Sequence, residues 1–298
     1  MNPLKQLFVS LCVAAALIAA VAVGNGRCVC SAAAHVRFTG APDQKIAGIT
    51  SGGDFIIYQF IPFKCFVQDG KIVDFKKAGI SKDAWFARFG IRTAHVVYHS
   101  LDPVVLKQVA RTAKRPSIIS LDLEQWSFYA PQTPQRIAQA VRAIRVFHPC
   151  VPVGVYGAAP VNTFGWAPGR WQKYDQLNPR YKVVADAVDF ISPVLYSYQP
   201  SMKKWQTTAR YDIAWAHRYG TSKPIIPYVS MRIRRHQNLN GKKRRDLTYG
   251  EMLLELKTLR RLGANGCIVW ASSKSNEPLD PHRTGWLRAM IAFARRGR

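Results

Sequence analysis

Carboxylates are scarce in this chain. Its 298 residues include 17 Asp and Glu against 43 Lys and Arg, a formal charge of +26. A surface with that balance attracts polyanions: nucleic acid, anionic membrane or acidic polysaccharide. A disordered polycation is excluded, because 48% of the residues are hydrophobic and 11% aromatic. Cysteine is also sparse, six in all, with spacings that fit no zinc site. A disulfide scaffold is thereby excluded. No glycine-rich phosphate loop follows the first strand-like segment, which argues against a nucleotide-binding sheet. Internal repeats and long low-complexity linkers are missing as well, so one domain is the simplest account.

What is present begins with a leader. Lys5 precedes an uncharged apolar run, Leu7 to Val23, and small residues follow at Ser31-Ala32-Ala33-Ala34. Residues 1–34 therefore read as a signal peptide or an N-terminal membrane anchor. Either sends residues 35–298 outside the cytoplasm, to a secreted or periplasmic location. Losing Lys5 and Arg27 takes the charge only from +26 to +24, so the basicity belongs to the remaining domain. Cys12, Cys28 and Cys30 would leave with the leader. Cys65, Cys150 and Cys267 remain, which allows at most one internal disulfide.

Along residues 35–298, β-branched and aromatic runs alternate with helical patterns. The expected strands are Phe55–Phe60, Thr93–Tyr98, Ser117–Glu124, Val151–Tyr156, Phe190–Tyr198, Ile225–Met231 and Gly266–Ala271. The expected helices are Pro103–Ala113, Pro134–Phe147 with Thr133 as N-cap, Trp171–Ala187, Met202–Tyr219, Thr248–Leu262 and Pro281–Arg295, with Gly263 as a helix stop. This alternation makes an α/β chain with a parallel sheet. About seven strands apolar on both faces suit a distorted TIM-like (β/α) barrel, with an open doubly wound sheet as the rival.

Against the scarcity of acids, Asp122 and Glu124 stand out. They end the apolar run Ser117-Ile118-Ile119-Ser120-Leu121, and on a strand their side chains share a face. At the C-terminal end of a barrel strand that face looks into the active-site mouth. Two carboxylates so close resist joint ionisation, leaving one protonated and able to act as a general acid. A capping or ion-paired structural role is the plain alternative. Aromatics also collect at or near the strand ends: Tyr58, Tyr98, Tyr156, Tyr196, Tyr198, Tyr228 and Trp270. Such rings stack on the apolar faces of sugars, although tyrosine and tryptophan also favour half-buried strand ends for their own packing.

Several segments, in order across residues 55–271, resemble the hyaluronidases of glycoside hydrolase family 56 and more distantly the family 18 chitinases. Asp122-Leu123-Glu124-Gln125-Trp126 resembles the hyaluronidase Asp-Trp-Glu-Glu-Trp, with Leu123 in place of Trp and Gln125 in place of the second Glu. Pro152-Val153-Gly154-Val155-Tyr156 resembles the next strand, Val194-Leu195-Tyr196-Ser197 the Ala-Leu-Tyr-Pro strand, and Leu262 to Trp270 the Leu-Gly-Ala-Ala-Gly-Val-Val-Leu-Trp strand. The segment Ser222 to Tyr228 is similar to the Pro-rich strand before the last helices.

The resemblance implies a retaining glycosidase whose substrate supplies its own acetamido nucleophile, with no metal and no cofactor. It implies Glu124 as general acid and base, Asp122 holding the acetamido N–H, and Tyr196 orienting that group, with Tyr198 as fallback. Trp270 would floor the subsite at the cleavage point. Tyr156, Trp126, Tyr228 and Tyr58 would be further substrate contacts. The expected partner is an acidic polysaccharide, without specific nucleic-acid binding, and the chain is expected to be a monomer. A non-catalytic glycan- or polyanion-binding barrel is the alternative.

One basic segment is set apart: Arg232, Arg234, Arg235, Lys242, Lys243, Arg244 and Arg245. From a loop over the mouth, these side chains, Arg232 first, could clamp carboxylates or sulfates of an acidic glycan. A solvated charged loop is the plain alternative. Arg295, Arg296 and Arg298 form a basic tail.

Overall fold

The computed structural model describes residues 55–98, 104, 117–165, 170–198, 200–220, 222–233, 245–271 and 277–296. Six strands lie in one parallel sheet: β1 (Ile56–Phe60), β4 (Arg92–Tyr98), β5 (Ile118–Asp122), β6 (Val153–Val155), β7 (Tyr228–Ser230) and β8 (Gly266–Trp270). Their spatial order is β6-β5-β4-β1-β8-β7. The remaining two strands, β2 (Cys65–Gln68) and β3 (Lys71–Asp74), form a separate antiparallel hairpin.

The seventh expected strand, Phe190–Tyr198, is not a regular strand. It makes isolated parallel bridges, Ile191 to Ile225 and Val194 to Tyr228. It nevertheless joins the two edges of the sheet. On the β6 side Asp189 N–H donates to Val153 O (2.7 Å) and Gly157 N–H to Ser192 O (3.1 Å). On the β7 side Ile191 N–H donates to Pro224 O and Leu195 N–H to Tyr228 O, both at 2.8 Å. Continuing that two-residue ladder, the N–H of residue 193 would donate to Ile226 O, but Pro193 has none. The Ser192 hydroxyl fills the position instead, donating to Ile226 O at 2.7 Å. The barrel is closed, and its distortion has a chemical cause at Pro193.

Alternate strand residues face opposite ways, which gives two cores. Tyr58, Ala94, Ile118, Tyr156, Phe190, Val194, Tyr196, Ile226, Tyr228 and Ile268 fill the barrel interior. Ile57, Val97, Ile119, Leu121, Val153, Val155, Val229 and Val269 face outward into the larger core shared with the helices. Gly154 faces inward because Phe190 occupies its side-chain space. A Cβ there would sit 2.3 Å from Phe190 Cε2.

The helices are α1 (Lys82–Ala87), α2 (Thr133–Phe147), α3 (Trp171–Leu177), α4 (Lys182–Ala187), α5 (Met202–Arg218), α6 (Tyr249–Arg261) and α7 (Gly285–Arg296). Three sequence expectations need correction. The helix expected over Trp171–Ala187 is broken by a 3-10 turn at Asn178–Tyr181, where Pro179 removes a backbone donor. Thr133 does not cap α2. Gln132 holds that position, and the Thr133 hydroxyl donates to Ser127 O (2.7 Å). The β2–β3 hairpin was not expected. The helix expected at Pro103–Ala113 and the leader lie outside the described residues. Cys65 and Cys267 are unbridged thiols. Thr248 caps α6 in a reciprocal box with Glu251, and Gly263 ends that helix at φ +86°.

Candidate active site

Parallel barrel strands bring their C-terminal ends to one rim, and the inward-facing residues there form the mouth. Asp122 is the last residue of β5 and lies directly opposite Tyr98, the last of β4. It shares the inward parity of Ile118 and Ser120, and it is 8% exposed. The strand stops at Asp122. Leu123 turns into the core, and Glu124 is exposed in the turn that follows. This corrects the expectation that the strand runs to Glu124. Glu124 is thus presented to solvent by the turn and not by strand alternation.

Around Asp122 stands a ring of aromatics. The Trp270 indole donates to the Tyr98 hydroxyl at 3.0 Å. Trp270 also stacks on Tyr196, with centroids 5.5 Å apart and planes at 28°. Phe60, opposite Trp270 in register, lies 5.9 Å from Tyr98. Tyr196 leads to Tyr198 (6.1 Å) and Tyr156 (5.9 Å). Sequence reasoning put Tyr98 at a strand end without assigning it a role, and it did not single out Phe60. Strand register is the signal that places both at the mouth.

Tyr228 lies beneath this ring, against Tyr156 (4.9 Å, edge-on) and Tyr196 (6.4 Å). Burial pushes its phenol up. The Ser120 hydroxyl pulls it partly back, and the Tyr98 and Asp122 charges add to the rise. Tyr228 thus packs against Tyr196 from beneath and feels the Asp122 charge.

Other predicted contacts are interior or already engaged by neighbouring side chains. Tyr58 and Tyr228 are 1% and 0% exposed, so both rings are interior packing with no face to stack on. Burial also raises the Tyr58 phenol. Tyr156 and Tyr196 belong to the same interior cluster, 7% and 4% exposed, and of the two only Tyr196 borders the mouth, through its ring stacked on Trp270. Trp126 is half-buried, with the Arg136 guanidinium 4.7 Å over its ring. Arg232 is held by Asp246 and Glu277, the latter at 3.3 Å. Arg245 makes a two-pronged pair with Glu251 at 2.6 and 2.7 Å. These two guanidiniums are occupied at the root of the basic loop, whose residues 234–244 lie outside the described residues.

A small pocket opens beside Tyr196 and Tyr198, lined also by Gly165, Lys204, Trp205 and Thr208. Lys204 is exposed at the N-terminal turn of α5 and supplies the pocket's positive charge. The wall behind it is fixed by Glu255, fully buried on α6, which accepts the Ser197 hydroxyl at 2.5 Å. The Trp205 indole donates to Leu195 O at 2.8 Å. Among the described residues no cluster of His, Cys, Asp and Glu could hold a metal ion.

No protein-family model matches this chain, and no curated protein matches it. Among solved structures it is similar to bee venom hyaluronidase in its monoclinic crystal form, with a TM-score of 0.53 and 15% identity over 81% of this chain and 96% of that one. It is similar also to bee venom hyaluronidase in complex with a hyaluronic acid tetramer, with a TM-score of 0.52 and 15% identity over 74% and 91%. The likeness is one of fold: both are distorted (β/α) barrels.

Proposed function

We propose that this chain is an exported glycoside hydrolase that cleaves an acidic polysaccharide containing N-acetylhexosamine, with retention of configuration. One observation carries the reading. An inward-facing carboxylate, Asp122, ends a parallel barrel strand, with the exposed carboxylate Glu124 two residues beyond and a mouth ringed by Phe60, Tyr98, Tyr196 and Trp270.

The chemistry follows from that layout. Glu124 gives its proton to the glycosidic oxygen as the bond from that oxygen to C1 breaks. The acetamido oxygen of the same sugar attacks C1 from the opposite face and forms a cyclic oxazolinium-type cation. Asp122 accepts the acetamido N–H and balances the positive charge. The Glu124 carboxylate then takes a proton from water. The resulting hydroxide opens the ring on the face the leaving group vacated, so two inversions give net retention. Tyr196 orients the acetamido group, Trp270 supports the sugar face at the cleavage point, and Lys204 answers an acidic substituent in the neighbouring pocket.

The test is release of reducing ends from hyaluronan, chondroitin, chitin and a deacetylated aminosugar polymer. Product is expected from at least one acetylated polymer and not from the deacetylated one. Glu124→Gln is expected to lower turnover by about 100-fold or more with an unchanged circular dichroism spectrum. Asp122→Asn is expected to lower it less completely. Binding without product from any polymer would make the chain a glycan-binding barrel and overturn the reading.

A further inference from the structure

One rim of this barrel is marked by exposed arginines. Helices that return the chain to the next parallel strand run opposite to the strands, so their C-terminal ends gather at the rim away from the mouth. Basic residues collect there. Arg88 ends α1, Arg218 lies in the last turn of α5, Arg260 and Arg261 in that of α6, and Arg295 and Arg296 in that of α7. All six are exposed. Among the described residues none lies within ion-pair distance of a carboxylate.

The acids at that rim are already engaged, Asp186 with Lys182 and Asp189 with Arg145. The mouth end carries both signs, with Asp83, Asp122, Glu124, Asp246, Glu251, Glu277 and Asp280 beside Lys82, Lys204, Arg232 and Arg245, the two arginines paired with acids. Cations at helix C-termini complement the helix dipole. The dipole alone requires no cluster of six on four different helices.

The chain also enters the barrel at this rim. Phe55 opens β1 there and packs edge-on against Phe293 near the end of α7 (5.3 Å). Arg295, two residues on, lies 6.0 Å over Phe89 in the loop before β4.

We infer that the arginine rim opposite the mouth docks this protein on an anionic phospholipid surface, with the mouth facing away. Guanidinium forks match phosphate and carboxylate headgroups. Charges spread over four helix ends match a surface rather than a single strand of polymer. Docking of this kind leaves the cleft open to polysaccharide while holding the enzyme at the membrane.

The test is flotation of the full chain with vesicles of phosphatidylcholine, with and without phosphatidylserine, over a series of NaCl concentrations. Wild type is expected to prefer the phosphatidylserine vesicles and to lose that preference as salt rises. The variant R260E/R261E/R295E/R296E is expected to bind them at least about tenfold more weakly, with binding to neutral vesicles unchanged. The variant K64E/K71E/K76E/K77E, with the same charge change on and beside the β2–β3 hairpin, is expected to bind as wild type does. Equal loss in both variants would reduce the effect to net charge and overturn the proposal. So would an arginine variant that keeps full binding, or a wild type that ignores phosphatidylserine and binds soluble sulfated glycan through these arginines.

Discussion

Glu255 and Asp212 are carboxyl groups at positions where water does not reach. Glu255 accepts the Ser197 hydroxyl, and Asp212 accepts that of Thr163 at 3.2 Å. Burial raises both well above their ordinary values of 4.5 and 3.8, which favours the protonated form in the fold. In the unfolded chain both ionise at those ordinary values. Above about pH 4 the native state therefore holds the extra protons, and stability falls as pH rises toward the folded-state pKa. Glu251 has the opposite sign. The Arg245 fork chiefly holds it down at about 2, so its contribution is present above 4.5 and lost as pH falls toward 2. Thermal melts at a series of pH values rising from about 4 should show the contribution of these two groups to wild-type stability declining. The double variant D212N/E255Q, which keeps neutral groups of the same shape, should show a shallower decline. Parallel slopes would mean that these acids do not titrate as their burial requires.

The irregular segment between β6 and β7 is the element that decides whether this sheet is a barrel. Its anchor is Asp189, whose carboxylate accepts Val153 N–H at 2.9 Å and pairs with Arg145, and whose own N–H donates back to Val153 O. Its core plug is Phe190 against Gly154. Gly154→Ala drives a methyl group into a fully buried ring and should cost about 1–3 kcal/mol. Phe190→Leu in the same chain should restore part of that loss in chemical denaturation, because the smaller side chain vacates the contested space. Additive losses would show that the two residues do not compete.

Elements were legible in the sequence to the extent that they follow local patterns. Six segments of alternating or continuous apolar residues became parallel strands at nearly their expected positions. The seventh was read as an ordinary strand because Pro193 is a single residue in an otherwise strand-like run. The hairpin was missed although its turn, Asp69-Gly70, is a strong two-residue signal, with φ of +51° and +74°. The break at Pro179 was overlooked in the same way. In each case one glycine or proline outweighed the hydrophobic pattern around it.

At the scale of the molecule, the described residues belong to one compact unit, Phe38–Arg298. The barrel interior and the outer core share every strand between them. Removing one strand opens both, so unfolding should be a single cooperative event. Urea transitions followed by tryptophan fluorescence and by far-ultraviolet circular dichroism should coincide, and a separate early transition in either would mean that the barrel yields in parts.

Sequence by itself determined the strand–helix alternation, the inward parity of Asp122, the isolation of two acids at one strand end, and the basicity of residues 35–298. All of these are local or compositional, set by neighbours two to four residues apart. Only the tertiary structure decided which aromatics reach the mouth and which fill the interior. Trp270 and Tyr98 meet across 172 residues of chain, and Tyr58 and Tyr228 are covered by the layer that Tyr196 and Trp270 complete. It also placed Arg232 in an ion-pair pocket and gathered six distant arginines on the rim opposite the cleft. Accessibility and pairing belong to residues that the chain separates and the fold brings together, so no local pattern carries them.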